Sequence, residues 1–301
     1  MVQRTKFIKM MNVGKNVGKM SEGKAVSTVA VRCSAYWPSM ASIWTLANIP
    51  TQSRRKAKGE IDRTNKVEDN YHEEMTLLEA ITARHSVRKY LDKEIPADII
   101  AALQDKIMEC NKIGNLSIQL VQNETKAFTG MLSYGSFSGV KNYLVMVGKK
   151  SKDLDERVGY YGEQLVLFAQ ILGLNTCWVG LSYRKVPEAY NVGKDEKLVC
   201  MIALGYGETQ GVPHKIKSVE DVSNASDITP SWFRKGVETA LLAPTAVNQQ
   251  KFSFEYVGMN NNRHQVRASK GFSMIGYTQM DLGIAKYHFE IGAGKVNFEW
   301  V

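Results

Sequence analysis

The chain has few cysteines and prolines and lacks any long apolar run. Its 301 residues include four cysteines and seven prolines. Cys33, Cys110, Cys177 and Cys200 show no CxxC spacing and no histidine cluster beside them, so neither a zinc site nor a disulfide framework is predicted. No apolar stretch approaches the roughly 20 residues that a membrane-spanning helix needs. These absences favour a cytoplasmic protein without a metal or a membrane partner.

Acidic residues are almost missing from the start of the chain. Residues 1–59 hold eleven Lys and Arg residues against one acid, Glu22, which gives +10, whereas the whole chain carries +9. Subtraction leaves −1 for residues 60–301, so the body of the protein offers no electrostatic footprint for nucleic acid. Residues 1–74 also show no sustained period of 3.6 or 2, which predicts a basic, disordered N-terminal extension. Nucleic-acid binding by this segment is an alternative that rests on charge alone.

From Met75 the sequence alternates between helix and strand patterns. "MTLLEAITAR" has the apolar spacing of a short amphipathic helix, and "PADIIAALQDKIMEC" begins with Pro96 at a first-turn position. "NYLVMVG" and "LVCMIALG" are short and almost wholly apolar, as strands buried on both faces are. Between them, "DERVGYYGEQLVLFAQILGL" predicts a long helix that is covered on most sides. The fold class predicted from these patterns is α+β.

Part of the sequence is repeated. A shift of 133 positions places "MECNKIGNLSIQLV" on "LLAPTAVNQQKFSF", so that Asn115 meets Asn248. The helix at 159–174 pairs with "GYTQMDLGIAKYHFEIGAG", and both copies begin with Gly-Tyr. We therefore predict a first half over residues 75–222 and a shortened second half over 223–301, fused into an intrachain pseudo-dimer with a site between the halves. The alternative is a chance alignment of amphipathic helices.

Four short stretches carry the candidate chemistry. "RHSVR" places two arginines around a serine directly after a helix, which suits a phosphate. "APTAVNQQ" sets neutral hydrogen-bonding groups in apolar surroundings, which suits the edge of a planar heterocycle. "TCWVGL" ends a strand on a glycine, and "VPHKIKS" adds two cations. Each stretch also has a purely structural interpretation, as solvated surface, polar turn, strand end or loop.

Together these stretches resemble the FMN-dependent nitroreductase family, from about Met75 to Val301. The matching segments are "RHSVR", "APTAVNQQKF", "GYYGEQLVLFAQILGLNTCWVG" and the basic segment after "ALGYGE". Family members are homodimers with FMN at the subunit interface, and this chain is similar to the fused branch, a pseudo-dimer with one flavin site per chain. The resemblance implies a nitroreductase-like fold, with a central, mostly antiparallel sheet flanked by helices. Where the family motif has Ser-Ser and Pro-Trp, this chain has Thr245-Ala246 and Lys251-Phe252. "CWVGL" also lacks the acidic residue that many family members have at this place.

The resemblance also implies a set of cofactor-binding residues. Arg84 and Ser86 would contact the FMN phosphate and ribityl chain, and Arg88 would lie near the N1 and O2 edge of the flavin, where a cation stabilises reduced flavin. The full set is Arg84, His85, Ser86, Arg88, Asn142, Val179, Gly180, Lys215, Lys217, Pro244, Thr245, Asn248 and Gln250.

The implied activity is that of an FMN-dependent NAD(P)H oxidoreductase. Hydride from NADH or NADPH would pass through flavin N5 to a nitroaromatic, a quinone or a similar planar acceptor, so the protein itself needs no catalytic acid or metal. The alternative is a flavin-binding or sensory module without turnover, which the altered motif residues favour. The expected partner is a small-molecule acceptor, and the chain is expected to be a monomeric pseudo-dimer that could associate further.

Two other motifs are interpreted as unrelated to the site. "GYGETQG" at 205–211 is similar to a dinucleotide fingerprint, but its third glycine comes one position late and no clear helix pattern follows. "RHQVR" at 263–267 echoes "RHSVR" without its serine, and we predict a polar surface loop there.

Overall fold

The computed structural model describes residues 75–129 and 137–301, and the extension predicted over 1–74 lies outside them. The helices and strands of the described part are α1 (Leu77–Ala83), α2 (Ala97–Gly114), β1 (Gln119–Val121), β2 (Asn142–Lys149), α3 (Leu154–Ile171), β3 (Asn175–Val179), β4 (Glu196–Gly205), α4 (Val219–Val222), α5 (Ser231–Ala240), β5 (Phe252–Asn260), β6 (Arg263–Lys270), α6 (Thr278–Ala293) and β7 (Phe298–Trp300). Short 3₁₀ turns lie at Lys126–Phe128, Ala246–Asn248 and Lys295–Asn297.

Helix α1 begins and ends where its sequence predicts. The Thr76 hydroxyl accepts from the Glu79 N–H, and the Glu79 carboxylate accepts from the Thr76 N–H, which forms a capping box. Ala80 and Ile81 of this helix pack against Leu167 of α3. The helix ends at Ala83, so the chain leaves it in an extended conformation at Arg84.

The first sheet is fully antiparallel and has the strand order β1-β2-β4-β3. Successive side chains of β2 point into two different cores. Tyr143 and Val145 join one apolar cluster, whereas Leu144 and Met146 join another that includes Val158 of α3. Since both faces of the strand are covered, its sequence shows a continuous apolar run instead of an alternation, as predicted.

The second sheet has the order β5-β6-β7, with β5 antiparallel and β7 parallel to β6. The prediction that 263–267 is a polar loop was wrong, because these residues begin β6. Val266 of this strand is fully buried in the aromatic core beneath the sheet, while Arg267 is exposed and pairs with Glu255 of β5. One buried residue among charged neighbours gave too weak an alternation to indicate a strand.

Helices α3 and α6 cross at two glycines. A side-chain carbon added to Gly159 would overlap the Met280 carbonyl oxygen, and one added to Gly283 would overlap the Glu156 carbonyl oxygen. The contact is reciprocal, since residues 156 and 159 of α3 meet residues 283 and 280 of α6, and such reciprocity is typical of a two-fold interface.

Among the described residues, no helix is both long enough and apolar enough to cross a membrane.

Candidate active site

Two cavities adjoin each other where residues 84–88 and the end of β3 face the 244–248 segment and the start of α6. The first cavity, of about 320 Å³, is lined by residues that include Trp178, Tyr277 and Asp281. The second cavity, of about 290 Å³, is lined by residues that include Arg84 and His214. Five residues line both cavities: Ser86, Arg88, Pro244, Thr245 and Val247.

The "RHSVR" segment reaches the cavities because β3 holds it in an extended conformation. The Val87 N–H donates to the Thr176 carbonyl at 3.0 Å, and Ser86 forms a parallel bridge with Thr176. In an extended chain alternate side chains share one side, so Arg84, Ser86 and Arg88 face the cavities. Val87 points the other way and is buried in the core.

The Arg84 guanidinium is the main buried charge of the second cavity. Arg84 is 3% exposed, and its Nε and Nη1 atoms have no hydrogen-bond partner within residues 75–129 and 137–301. Burial lowers the pKa of Arg84, and the Glu163 carboxylate, whose Oε1 lies 4.0 Å from Nε, opposes that shift. Buried donors without partners are costly, so this cation is arranged to receive an anionic oxygen.

A buried network connects Arg84 with the first cavity through Glu163 of α3. The Trp178 indole N–H donates to Glu163 Oε2 at 2.9 Å, and Trp178 lines the first cavity. His288 Nε2 lies 2.9 Å from Glu163 Oε1, and its Nδ1 lies 3.3 Å from the Thr239 carbonyl oxygen. Glu163 and His288 are fully buried, so this network joins α3, α5 and α6 beneath the site.

The end of β3 forms one wall of the first cavity. Val179 and Gly180, two of the predicted cofactor-binding residues, both line it. A side-chain carbon on Gly180 would lie 2.6 Å from Cζ of Tyr277, so only glycine allows that ring to approach. Tyr277 precedes α6 in a left-handed conformation, with φ 62°.

The 244–250 segment forms the opposite wall and has an unusual backbone. Val247, Asn248 and Gln250 have φ values of 47°, 56° and 44°, which side-chain-bearing residues rarely adopt. The Gln250 amide is 3% exposed and donates to the Lys215 carbonyl and to Asn248 Oδ1, each at 2.8 Å. Gln250 therefore braces this segment from behind and does not line either cavity.

Three other predicted residues also lie outside the two linings. Lys217 Nζ donates to the Gln250 carbonyl at 2.8 Å, so its charge is engaged in bracing the segment. Lys215 is exposed, and its carbonyl accepts from Asn248 Nδ2 at 2.8 Å. Asn142 begins β2, where its Oδ1 accepts from the Asn123 N–H at 3.2 Å. Any cofactor contact of these residues stays a prediction.

The second cavity also brings two histidines together. His85 was among the predicted residues, whereas His214 was not, and both line this cavity. Burial lowers the pKa of His85, and the charges of Arg84 and His214 lower it further. His214 Nε2 lies 3.1 Å from the Leu241 carbonyl oxygen, which fixes the orientation of its ring.

Helix α6 places one acid at the first cavity. Asp281 is fully buried and lines this cavity. Its Oδ1 accepts from the Ala246 N–H at 3.0 Å, and its Oδ2 accepts from Gln249 Nε2 at 2.7 Å. Burial raises the pKa of Asp281 to about 6, although both hydrogen bonds oppose the shift.

Comparison with known proteins identifies the family. A family model described as "Putative TM nitroreductase" matches residues 76–293, well over half of the chain. The chain belongs to this nitroreductase family. Among curated proteins, no significant match was found.

Solved structures of nitroreductases are similar to this chain. A "putative nitroreductase" from Thermotoga maritima is 24% identical, with a TM-score of 0.51, over 78% of this chain and 90% of that chain. A "putative nitroreductase in complex with fmn" from Desulfovibrio desulfuricans is 14% identical, with a TM-score of 0.40, over 51% of this chain and 98% of that chain. An "FMN-dependent Nitroreductase" from Clostridium difficile is 19% identical, with a TM-score of 0.38, over 48% of this chain and 92% of that chain.

Several site residues of this nitroreductase-family chain were not found from its sequence. Glu163 and His288 lie in helices whose patterns are mainly apolar, and Asp281 lies in a helical first turn where acids are common. Their partners are far away along the chain, so no local signal indicated them. Tyr277 was noted only as part of a Gly-Tyr pair. Among the described residues, no group of three or more His, Cys, Asp and Glu side chains is placed to hold a metal ion.

Proposed function

We propose that this chain is an FMN-dependent oxidoreductase that takes hydride from NADH or NADPH and passes it to a nitroaromatic, a quinone or a similar planar acceptor. The observation that carries the proposal is the buried Arg84 guanidinium, whose Nε and Nη1 lack partners at the wall of the second cavity. Membership of the nitroreductase family supports it. Bound FMN would supply the hydride chemistry itself.

The donor set fits a flavin phosphate and ring in adjoining compartments. Arg84, Ser86 and Asn248 line the second cavity and would hold the phosphate by charge-assisted and neutral hydrogen bonds. Trp178 and Gly180 line the first cavity, whose mainly apolar walls suit a planar ring. Arg88 lines both cavities, so its cation would lie between the phosphate and the ring.

The same proposal includes a pseudo-dimer of residues 75–222 and 223–301. Each half contains a helix, two antiparallel strands, a long helix and a further strand, in that order: α2, β1, β2, α3 and β3 in the first half, and α5, β5, β6, α6 and β7 in the second. Strand β7 runs parallel to β6. Strand β3 likewise runs in the same direction as β2, because both are antiparallel to β4. Asn115 and Asn248 both have left-handed backbones. In the reciprocal helix contact the position that corresponds to Gly159 is Gly283. The alignment of the two Gly-Tyr pairs in the sequence matches Gly159 with Gly276 instead.

One of the motif departures lies away from the cavities. Phe252 is buried with Phe254 in the core of the second sheet, and Lys251 beside it is exposed. Neither Lys251 nor Phe252 lines the first or the second cavity. The Lys-Phe replacement therefore does not alter the walls of the proposed site. Experiment has to distinguish an enzyme from a flavin-binding module without turnover.

The first test compares FMN with riboflavin, which lacks the phosphate. We expect the chain to bind FMN. Arg84→Gln should lower the affinity for FMN by about 10-fold or more, because a charge-assisted hydrogen bond to the phosphate is lost, and should change the affinity for riboflavin little. Arg234→Gln is the matched control, because the Arg234 side chain is partly exposed and pairs with Glu220. Equal FMN affinity in Arg84→Gln and the parent chain contradicts the phosphate assignment.

A second measurement separates an enzyme from a flavin module. The FMN-loaded chain is mixed with NADH or NADPH under anaerobic conditions, and its visible absorbance is followed before and after a quinone is added. We expect bleaching by the nicotinamide and recovery with the quinone. A flavin spectrum that does not change with either nicotinamide supports the non-catalytic module.

A further inference from the structure

The cavity wall that faces Gly180 is built from a strained segment. Three of the four residues from Val247 to Gln250 have left-handed backbones, which cost free energy in residues other than glycine. Such a segment keeps one conformation only when its surroundings fix it. Gln250 fixes the C-terminal end, through Lys215 and Asn248.

Asp281 fixes the N-terminal end of the same segment. Its two carboxylate oxygens accept from the Ala246 N–H and from Gln249 Nε2, so both of its acceptor atoms face this segment. Gln249 Nε2 donates in addition to the Gly276 carbonyl at 3.0 Å. One carboxylate therefore ties the segment to the first turn of α6, and both elements are walls of the first cavity.

The structure gives Asp281 no countercharge among the described residues. The other ionisable side chains that line the first cavity are Arg88 and Tyr277, and neither is paired with Asp281. On the adjoining helix α3, Glu156 binds Gln279 and Lys286, and Glu163 binds Trp178 and His288. A fully buried carboxylate without a cation disfavours the folded state, and such groups are concentrated at functional sites.

We propose that the Asp281 carboxylate is a positioning residue of the first cavity: by accepting from Ala246 and Gln249 it holds residues 245–249 in the conformation that binds the flavin ring. The inference rests on the proposed FMN function. It assigns a specific role to an acid from the second half, at the cavity where "CWVGL" of the first half carries none.

Proton binding at Asp281 gives this role a signature. A protonated carboxyl keeps one oxygen as an acceptor and turns the other into a donor, which then faces an N–H group. Burial raises the pKa of Asp281 to about 6, so the carboxylate form is present above that pH and is lost below it. Segment order and FMN affinity are therefore expected to fall together as the pH is lowered through about 6.

The experiment measures amide hydrogen exchange of residues 244–251 in the full chain and FMN affinity, each between pH 5 and pH 8. In the parent chain we expect the protection factors of this segment and FMN affinity to fall below about pH 6. In Asp281→Asn we expect low protection at every pH and FMN affinity reduced about 10-fold at pH 7.5. Asp227→Asn removes an exposed acid that lines neither cavity, and it should behave as the parent chain.

The two readouts separate this inference from the proposed function. If residues 244–251 follow the predicted exchange pattern and FMN binds to no variant, the role of Asp281 in the segment is supported and the flavin assignment fails. If FMN binds to the parent chain and to Asp281→Asn with equal affinity and equal pH dependence, the positioning role is overturned while the flavin assignment remains. Hydrogen exchange of the parent chain without FMN, followed over the same pH range, tests the inference independently of the variant.

Discussion

At the scale of single residues, two buried charges of opposite sign define the candidate site. Arg84 lies at the second cavity with donors that lack partners, and Asp281 lies at the first cavity with both oxygens occupied. Arg84 has a partial countercharge in Glu163, whereas Asp281 has none among the residues that the structure describes. Both arrangements disfavour the folded state, which is expected of residues kept for binding instead of stability.

Asp281→Asn is expected to stabilise the protein at neutral pH. The folded-state pKa of Asp281, about 6, lies above the ordinary value of 3.8, so the destabilising effect of the charge is absent below about pH 4 and complete above about pH 6. The gain in unfolding free energy at pH 7.5 should be at most about 3 kcal/mol and should vanish near pH 4. Urea denaturation of both proteins at the two pH values measures it, and a constant difference would argue against a buried charge.

Glu163→Gln is expected to destabilise the protein by about 3 kcal/mol, because it leaves Arg84 buried without a countercharge. FMN should restore part of this loss, since a phosphate would then pair with the guanidinium. Melting temperatures of the parent chain and the variant, each with and without FMN, measure the effect. Glu255→Gln, at an exposed pair with Arg267, is the control and should change stability by less than about 1 kcal/mol.

At the scale of secondary-structure elements, the site depends on the crossing of α3 and α6. Helix α3 carries Glu163, and α6 carries Asp281 and His288, so the distance between the two helices sets the geometry beneath both cavities. Gly159 and Gly283 allow the helices to approach until one backbone contacts the other. The sequence predicted both helices, but their apolar pattern did not indicate which glycines lie at the contact.

Gly159→Ala and Gly283→Ala should each destabilise the protein. The added methyl group would overlap a backbone carbonyl oxygen of the facing helix, which cannot rotate away as a flexible side chain would. We expect a loss of about 1–3 kcal/mol, despite the higher helix propensity of alanine. Met108→Ala, at a position of α2 that is 62% exposed, is the control and should change stability by less than about 0.5 kcal/mol. Stability equal to that of the parent chain would contradict the close crossing.

At the scale of the whole molecule, the two halves of the proposed pseudo-dimer carry different polar residues at corresponding positions. The position of α3 that corresponds to Asp281 in the reciprocal helix contact is Arg157. Arg157 Nη1 donates to the carbonyl oxygens of Gly114 and Asn115, at 2.6 and 2.9 Å. Asp281 therefore accepts from one backbone N–H and one side-chain amide, whereas Arg157 donates to two backbone carbonyl oxygens.

The chain should bind one FMN and not two. The segment that corresponds to "RHSVR" is missing from the second half of the sequence, and Arg157 occupies the place of Asp281 in the first. Calorimetric titration with FMN, combined with counting of the released flavin per chain, gives the stoichiometry. A value near two would show that the second interface also holds a flavin and would contradict this asymmetry.

The sequence alone determined the features that depend on local patterns. The helices and buried strands follow from apolar periodicity, and the "RHSVR" motif is visible in the sequence as two arginines around a serine. Only the tertiary structure decided which distant residues join them. Glu163, Tyr277, Asp281 and His288 reach the site through the packing of α3 against α6, and Lys217 is diverted to brace Gln250. These contacts join residues far apart in the chain, so no local sequence pattern predicts them.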